Sequence, residues 1–432
     1  MFHRQRKNSS VKPIKSLKDL TRMVTAAQFL AEEKRQSLLQ KMKDFSGLEP
    51  SRYESLCVTL IENLVNYCQN LPETTNSYFS HSGGLCDYAL NRTEAALSLF
   101  NEFMVHERPD SLSEEQKLWQ YALFSAALLQ GIGKLYIDYR VSLFDASGHS
   151  LKPWNPLLES LTQTGTYYDY EFQKESDSAF RCRLNLLIAK ELMPMSGFVW
   201  IASDPQVLAV WLALLNEDHR SAGTLGAILI RADALAIQRY LNELLIRGHA
   251  SRGGRLGRAS TFAGGAAETL IDKEQAIGVE FLHWLTKSLD EGRIMINKAP
   301  LLMVPGGMLM SQEMFQLFVR ENPEYKNWQA VQTAFLSLGL HGTGLDGSAV
   351  SRFEQDKQMQ TGVVFSQYAV GLPASFKVQQ TSSGKSESMT AAEFINKTQF
   401  NGSTLQKLAA SGQWQTPEVE QSSLSPGAKT GV

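Results

Sequence analysis

Leu128-Leu129-Gln130-Gly131-Ile132-Gly133-Lys134 closes a long apolar helical pattern, and upstream His81-Ser82-Gly83-Gly84-Leu85 opens another. An apolar helix ending in L-L-x-x-I-G-K, downstream of an H-x-G-G-L helix start, places two polar positions at glycine-rich helix ends. A His-Asp pair at positions 130 and 131 would bind a divalent cation. The chain instead has Gln130, whose amide is a weak ligand, and Gly131, which has no side chain at all.

Around these stretches the helical period dominates from about Ser16 to Leu245. Thr21 to Met42 reads as one helix and Ser51 to Leu71 as a second, with Leu56, Leu60, Leu64 and Tyr67 on one face. Gly84 to Met104 carries Leu85, Tyr88, Ala89, Ala95, Ala96, Leu99 and Phe103 at helical spacing. Ser113-Glu114-Glu115-Gln116 is a capping-box pattern opening a helix to Leu129. A polar stretch from Asp145 to Ser178 intervenes. Helices then resume over Arg183 to Leu192, Asp204 to Leu215 and Ala222 to Ile246, with Asp204-Pro205 supplying a cap and a first-turn proline. The expected architecture for residues 46–248 is an all-α domain, preceded by a basic arm and helix over 1–45.

Composition breaks at His249. Residues 249–268 are rich in Gly, Arg and Ser and read as a flexible linker carrying Arg252, Arg255 and Arg258 without an acidic neighbour. A second unit, 269–373, follows. It has a helix over Asp272 to Asp290, strands at Arg293–Asn297 and Leu301–Val304, a Pro305-Gly306-Gly307 turn and a returning Met308-Leu309-Met310. Helices capped by Ser311 and Asn327 come next. Gly362–Phe365 with Tyr368–Val370 reads as a last hairpin. Helix, hairpin, two helices, hairpin is consistent with a winged-helix module. The class is therefore α+β, with a helical first domain and a small winged-helix-like second one. Residues 374–432, rich in Ser, Thr, Gln, Gly and Lys, read as a largely disordered tail.

At 432 residues the chain is long enough for two or three domains. Net charge is −2 and hydrophobic residues make up 43 %, which fits a soluble globular protein and gives no global hint of nucleic acid. The charge distribution is more informative: Arg4, Arg6, Lys7, Lys12, Lys15, Lys18 and Arg22 face only Asp19. That arm is either a solvated tail or a phosphate-binding segment. Cys57, Cys68, Cys86 and Cys182 lack C-x-x-C spacing and read as reduced core thiols. No apolar run follows the basic N-terminus, and the most apolar segment, Gly197 to Leu215, is cut by Asp204-Pro205. The expectation is a cytoplasmic protein without a membrane span.

The L-L-x-x-I-G-K and H-x-G-G-L stretches resemble the ligand-bearing helices of HD-type metal phosphohydrolases. Both halves together resemble TraI-type relaxases of the MobH group, encoded by integrative conjugative elements and related plasmids. The first half does so through those stretches and Ala232-Asp233-Ala234-Leu235-Ala236-Ile237. The second does so through Phe281-Leu282-His283-Trp284-Leu285, Gly292 to Asn297, Val304-Pro305-Gly306-Gly307 and Met310 to Phe315. Trp328 to Gln332 and Leu340-His341 extend that match, and the likeness covers roughly residues 50 to 370.

The resemblance implies a metal site, position by position. His81 matches the first histidine ligand, and Asp233 matches the closing aspartate, although Ala236 stands where a serine is usual. Tyr88 replaces a second histidine, and Gln130-Gly131 replace the His-Asp pair. His81 and Asp233 are thus a vestigial metal pair, with Asp87 and His219 as the only nearby substitutes. Two side chains are a poor hold for Mg²⁺ or Mn²⁺, so loss of metal chemistry is expected. A divalent metal is implied only if the HD-like site is still active.

Simpler readings stand beside these. His81 alone is an ordinary polar helix-start residue, Asp233 needs a partner such as Arg231 or Lys134, and Trp284 and Trp328 read as core. Lys134 suits a phosphate or a salt bridge. Lys287, Arg293 and Lys298 around the expected hairpin are the candidate nucleic-acid contacts, joined by Arg252, Arg255 and Arg258.

Other chemistry is thinly represented. Neither Gly253-Gly254 nor Gly306-Gly307 leads into G-K-[S/T], and there is no G-x-S-x-G or H-E-x-x-H. Tyr167-Tyr168 has no H-x-H cluster, which argues against a tyrosine-nucleophile relaxase of the HUH kind. Three functions remain open: a DNA-processing or accessory protein of conjugative transfer that binds DNA without metal catalysis, a nuclease or phosphohydrolase with an altered site, and a scaffold for other transfer proteins.

Overall fold

A computed structural model describes residues 15–104, 112–173, 177–253, 265–343, 348–355, 358–380, 384–395 and 397–398. The chain divides into two compact units, Met1–Lys273 and Glu274–Val432.

In the first unit the core is helical. Helix α6 (Glu114–Leu129) starts from the expected capping box. The Ser113 hydroxyl accepts from the Gln116 N–H, and the Gln116 side chain accepts from the Ser113 N–H. Every residue from Gln120 to Leu129 is buried, so α6 is a central helix wrapped on all sides. Around it lie α4 (Thr59–Cys68), α5 (Gly84–Met104), α10 (Pro205–Leu215) and α11 (Gly223–Gly253). Asp204 caps α10 through the N–H groups of Gln206 and Val207, as its Asp-Pro start predicts. Cys57, Cys68 and Cys86 are free thiols in this core, and Cys182 is a fourth free thiol, partly exposed.

The all-α expectation fails in one place. Strands β1 (Thr21–Arg22), β2 (Tyr139–Phe144), β3 (Ser150–Pro153) and β4 (Tyr167–Phe172) form an antiparallel sheet in the order β1-β4-β2-β3. Much of it comes from the stretch that looked merely polar. Period-two alternation explains it: Tyr139, Val141, Leu143 and Tyr168 are buried, while Arg140 and Glu171 face out. Recruitment of Thr21 to the sheet also shortens the expected first helix, which is divided into α1 (Ala26–Leu30) and α2 (Glu33–Ser46).

The expected linker is only partly a linker. Helix α11 runs to Gly253 and α12 (Gly265–Asp290) begins at Gly265, so its described flanks are helical. A single glycine costs a helix about 1 kcal/mol, which good formers on either side offset. Arg252 falls in the last turn of α11, whereas Arg255 and Arg258 lie outside the described residues.

In the second unit, α12 is followed by a hairpin of β5 (Leu301–Val304) and β6 (Gly307–Ser311). Then come α13 (Gln312–Glu321), α14 (Trp328–Ser337), β7 (His341–Gly342), β8 (Ser351–Gln355) and β9 (Gln358–Phe365). Strand β6 pairs with β9, which pairs in turn with β7 and β8, all antiparallel. Phe281 of α12 anchors the core, stacked on Phe315 at 4.8 Å and edge-on to Phe335.

Three expectations need correction here. Arg293–Asn297 is not a strand; Ile296 makes one isolated bridge to Val378. Tyr368–Gly371 is a 3-10 turn, and β8 is the hairpin partner of β9. The tail beginning near Ser375 is folded at least to Ile395, as β10 (Ser375–Gln379), β11 (Ser386–Thr390) and α15 (Ala391–Ile395). Its polar composition conceals Phe376, Val378, Met389, Phe394 and Ile395, which are all buried. Residues 399–432 lie outside the described part.

Candidate functional site

The two glycines after His81 have a packing reason. Gly83 has φ +82°, and a Cβ on Gly84 would lie 1.9 Å from the Phe79 carbonyl oxygen. The loop 79–83 therefore turns tightly against the start of α5. His81, half exposed, stacks on Tyr240 (ring centroids 6.1 Å apart, 10° between planes) and places Nε2 2.8 Å from Asp87 Oδ2. Asp87 also accepts from Arg35 at 2.7 and 3.1 Å. Desolvation pushes its carboxyl up, but hydrogen bonds from His81 and Arg35 outweigh that and hold it below the usual carboxylate value. Asp87 is thus committed to Arg35 and His81, which leaves it a poor substitute ligand.

Asp233 is satisfied by different residues. Tyr88, where a second histidine was expected, donates its hydroxyl to Asp233 Oδ1 at 2.6 Å. Arg92 Nη1 lies 3.3 Å from the same oxygen, so the partner is Arg92 rather than Arg231 or Lys134. The other two Arg92 nitrogens are also engaged: Nε donates to the Ala127 carbonyl and Nη2 to the Gln130 carbonyl, each at 2.8 Å. Burial works against its charge, yet Asp233 and Tyr88 more than compensate and raise its pKa. Burial likewise drives the Tyr88 phenol well above its usual range.

The turn after α6 completes the arrangement. The Gln130 side chain lies 3.0 Å from His219 Nε2 and donates to the Leu214 carbonyl at 3.2 Å. A Cβ at Gly131 would meet nothing within 4 Å, so the missing carboxylate leaves open space. Lys134 bonds to the Glu73 carboxylate and, at 2.9 Å, to its carbonyl, which resolves its role as a salt bridge. Among the described residues no three His, Cys, Asp or Glu side chains cluster as a metal site. The donor set does not fit a divalent cation: the surviving carboxylate is already paired with a guanidinium, and the surviving imidazole is hydrogen-bonded to a different carboxylate.

His219 is sensitive to pH. Desolvation lowers its pKa below 6.5 despite the opposing charges of Asp233, Glu217 and Asp218; Arg92 adds to the lowering. The unfolded chain then binds more protons below about pH 6.5 than the folded one, so stability is full above that value and declines as pH falls toward the folded pKa. The melting temperature is expected to drop between pH 7.5 and 5.5. Substituting His219→Gln should remove its share of that drop, the remainder coming from His283 and His341, which desolvation also shifts down; an unaltered drop would place its origin elsewhere.

Residues 20–261, more than half of the chain, match the TraI_2 family, described as "Putative helicase". The chain belongs to the TraI_2 family. Residues 276–391 match TraI_2_C, described as "Putative conjugal transfer nickase/helicase TraI C-term", a match that runs past position 373 through β11 to the first residue of α15. No curated protein matches the chain significantly. The two matches together make this a TraI-type protein of conjugative transfer.

The helicase description finds no phosphate loop in this TraI_2 chain. Its Gly384-Lys385-Ser386 triplet has Gln379 where the motif wants glycine, and it leads into strand β11 of a hairpin rather than into a helix. The predicted nucleic-acid contacts fare unevenly. Arg293 is paired with both Glu291 and Glu321, and Lys287 approaches Glu291 at 3.7 Å. These are exposed pairs of small energetic weight, so Lys287 still faces solvent, as does Lys298. In the basic arm, Lys15 is paired with Asp169 of β4, whereas Arg4, Arg6, Lys7 and Lys12 lie outside the described residues.

Arg92 belongs to none of the motifs, yet its signal is visible in the sequence. It sits four residues after Tyr88 and three before Ala95, on the apolar stripe of α5, where a charge requires a partner.

Proposed function

We propose that this TraI-type chain resembles MobH relaxases of integrative conjugative elements but carries a degenerate HD-like site, and that it serves conjugative transfer by binding DNA without metal catalysis. The observation that carries this reading is the Arg92 guanidinium on Asp233: a protein cation stands beside the carboxylate that would otherwise hold a metal. Tyr88 in place of a ligand and the bare Gly131 point the same way. For DNA, the order helix, hairpin, two helices, strand, hairpin in the second unit supports a winged-helix module, with α14 as its reading helix. Gln329 and Thr333 lie on the exposed face of α14, with Lys326 just before it and Arg352 exposed on β8.

The test is a pair of measurements on the full chain. Labelled duplex DNA should bind with an affinity that falls by roughly a thousandfold or more between 50 and 200 mM salt if six or more phosphates are contacted, and chelator should leave binding unchanged. Elemental analysis should find no stoichiometric transition metal. A stoichiometric metal together with metal-dependent nicking lost in Asp233→Asn would overturn the proposal.

A further inference from the structure

Two neighbouring helices of the first unit are apolar all the way round. Helix α9 (Met195–Ala202) and helix α10 contain no charged residue. Each turns one face to α6. Trp200 stacks on Tyr121 at 5.4 Å, Gly197 leaves room for the Tyr121 hydroxyl, and the Trp211 indole donates to Ser125 Oγ at 2.9 Å. Phe198 meets Trp211 edge-on at 6.0 Å, which joins α9 to α10.

The opposite faces stay open among the described residues. On α9 the exposed positions are Met195, Ser196, Val199 and Ala202; on α10 they include Gln206, Ala209 and Leu212. Met195 is 66 % exposed, Val199 57 % and Leu212 40 %, and Leu187 of the adjoining α8 (Ser178–Leu192) is 61 % exposed. Isolated exposed leucines are ordinary, but a helix without a polar face is normally buried on every side. The rings beside the stripe are already covered, Phe198 by Lys190 at 4.4 Å and Trp200 by Arg52 at 3.8 Å. The stripe itself is left to an outside partner.

Its chemistry narrows the occupant. At about 1.5 Å per residue α10 is roughly 16 Å long, about half of a bilayer core. Helices that lie on a lipid surface carry Lys and Arg along a polar face, which α9 and α10 lack. A charged protein partner would find no counter-charge: from Leu192 to Leu215 the only charged residue is Asp204, which caps α10. A neutral stripe is, however, complementary to itself. Across a two-fold axis, residues near the axis face their own copies, where a charge would repel itself and a Val, Ala or Leu does not.

We propose that the α9–α10 face is where two copies of this chain associate, α9 and α10 of one packing against α9 and α10 of the other. Two such helices with Leu187 beside them offer on the order of 500 Å² per copy, against roughly 800 Å² for a standard interface. The dimer is therefore reversible, with a Kd on the order of 1–100 µM.

Sedimentation velocity of the full chain, from roughly 1 to 200 µM, should show monomer giving way to dimer. Val199→Glu and Leu212→Glu place a charge at exposed positions and should each raise the Kd at least about tenfold, with circular dichroism showing the fold retained. Leu158→Glu, at a leucine 80 % exposed and outside these helices, should leave the Kd unchanged. A chain that stays monomeric throughout, or a dimer that neither Val199→Glu nor Leu212→Glu weakens, overturns the proposal. Equal weakening by Leu158→Glu also overturns it, because association would then be general stickiness.

Discussion

Arg92→Ala is expected to destabilise the first unit by about 3–5 kcal/mol, the cost of leaving one partner of a buried ion pair uncompensated. Arg92 is 5 % exposed and serves three acceptors at once, namely Asp233, the Ala127 carbonyl and the Gln130 carbonyl. Removing the guanidinium strands all three. Asp233 is 26 % exposed and recovers part of its hydration, which favours the lower end of the range. Arg92→Lys keeps the charge but not the planar fork, so it should fall between the two. Substituting both partners by apolar residues, Arg92→Met with Asp233→Leu, should recover much of the loss, because no charge is then left alone. Urea unfolding followed by circular dichroism measures the series. An Arg92→Ala chain within about 1 kcal/mol of the unmodified protein would contradict the central role of this cation.

Gly84→Ala should cost about 3 kcal/mol, near the top of the range for forced overpacking. The added methyl would lie 1.9 Å from backbone oxygen of Phe79, and backbone cannot rotate aside as a flexible side chain can. The loop carrying His81 must move, which would break the bond to Asp87 and the stack on Tyr240. For a unit of this size the melting temperature should fall by roughly 6–12 °C. Gly131→Ala is the matched control. Its φ of +78° costs a non-glycine residue about 1–2 kcal/mol, but the space around it is open. Equal losses at the two positions would mean that contact with Phe79 is not the deciding factor.

Much of this was legible in the sequence where a local pattern and the tertiary environment agree. The capping box at Ser113, the Asp204-Pro205 start, the extent of α5 and the Pro305-Gly306 turn were read correctly, because each is set by residues within one or two turns. The β2–β4 sheet was not, since Tyr167 to Phe172 sits among polar residues and finds its apolar contacts only across the sheet. The fold after Ser375 was hidden for a similar reason: five large buried side chains and Ala391 are spread among polar-rich positions. At the candidate site, His81 and Asp233 were recognised by resemblance, but their actual partners are distant in sequence. Asp233 is 141 residues from Arg92, and no local spacing announces such a pair.

The Arg92–Asp233 contact bears on how this domain is assembled. A pocket neutralised by a dissociable ion is complete only after that ion has been scavenged from the surroundings. Here the neutralising charge is covalently part of the chain and is delivered by translation itself. The Arg92–Asp233 pair therefore forms with the fold itself, its two charges meeting only when α5 and α11 pack together.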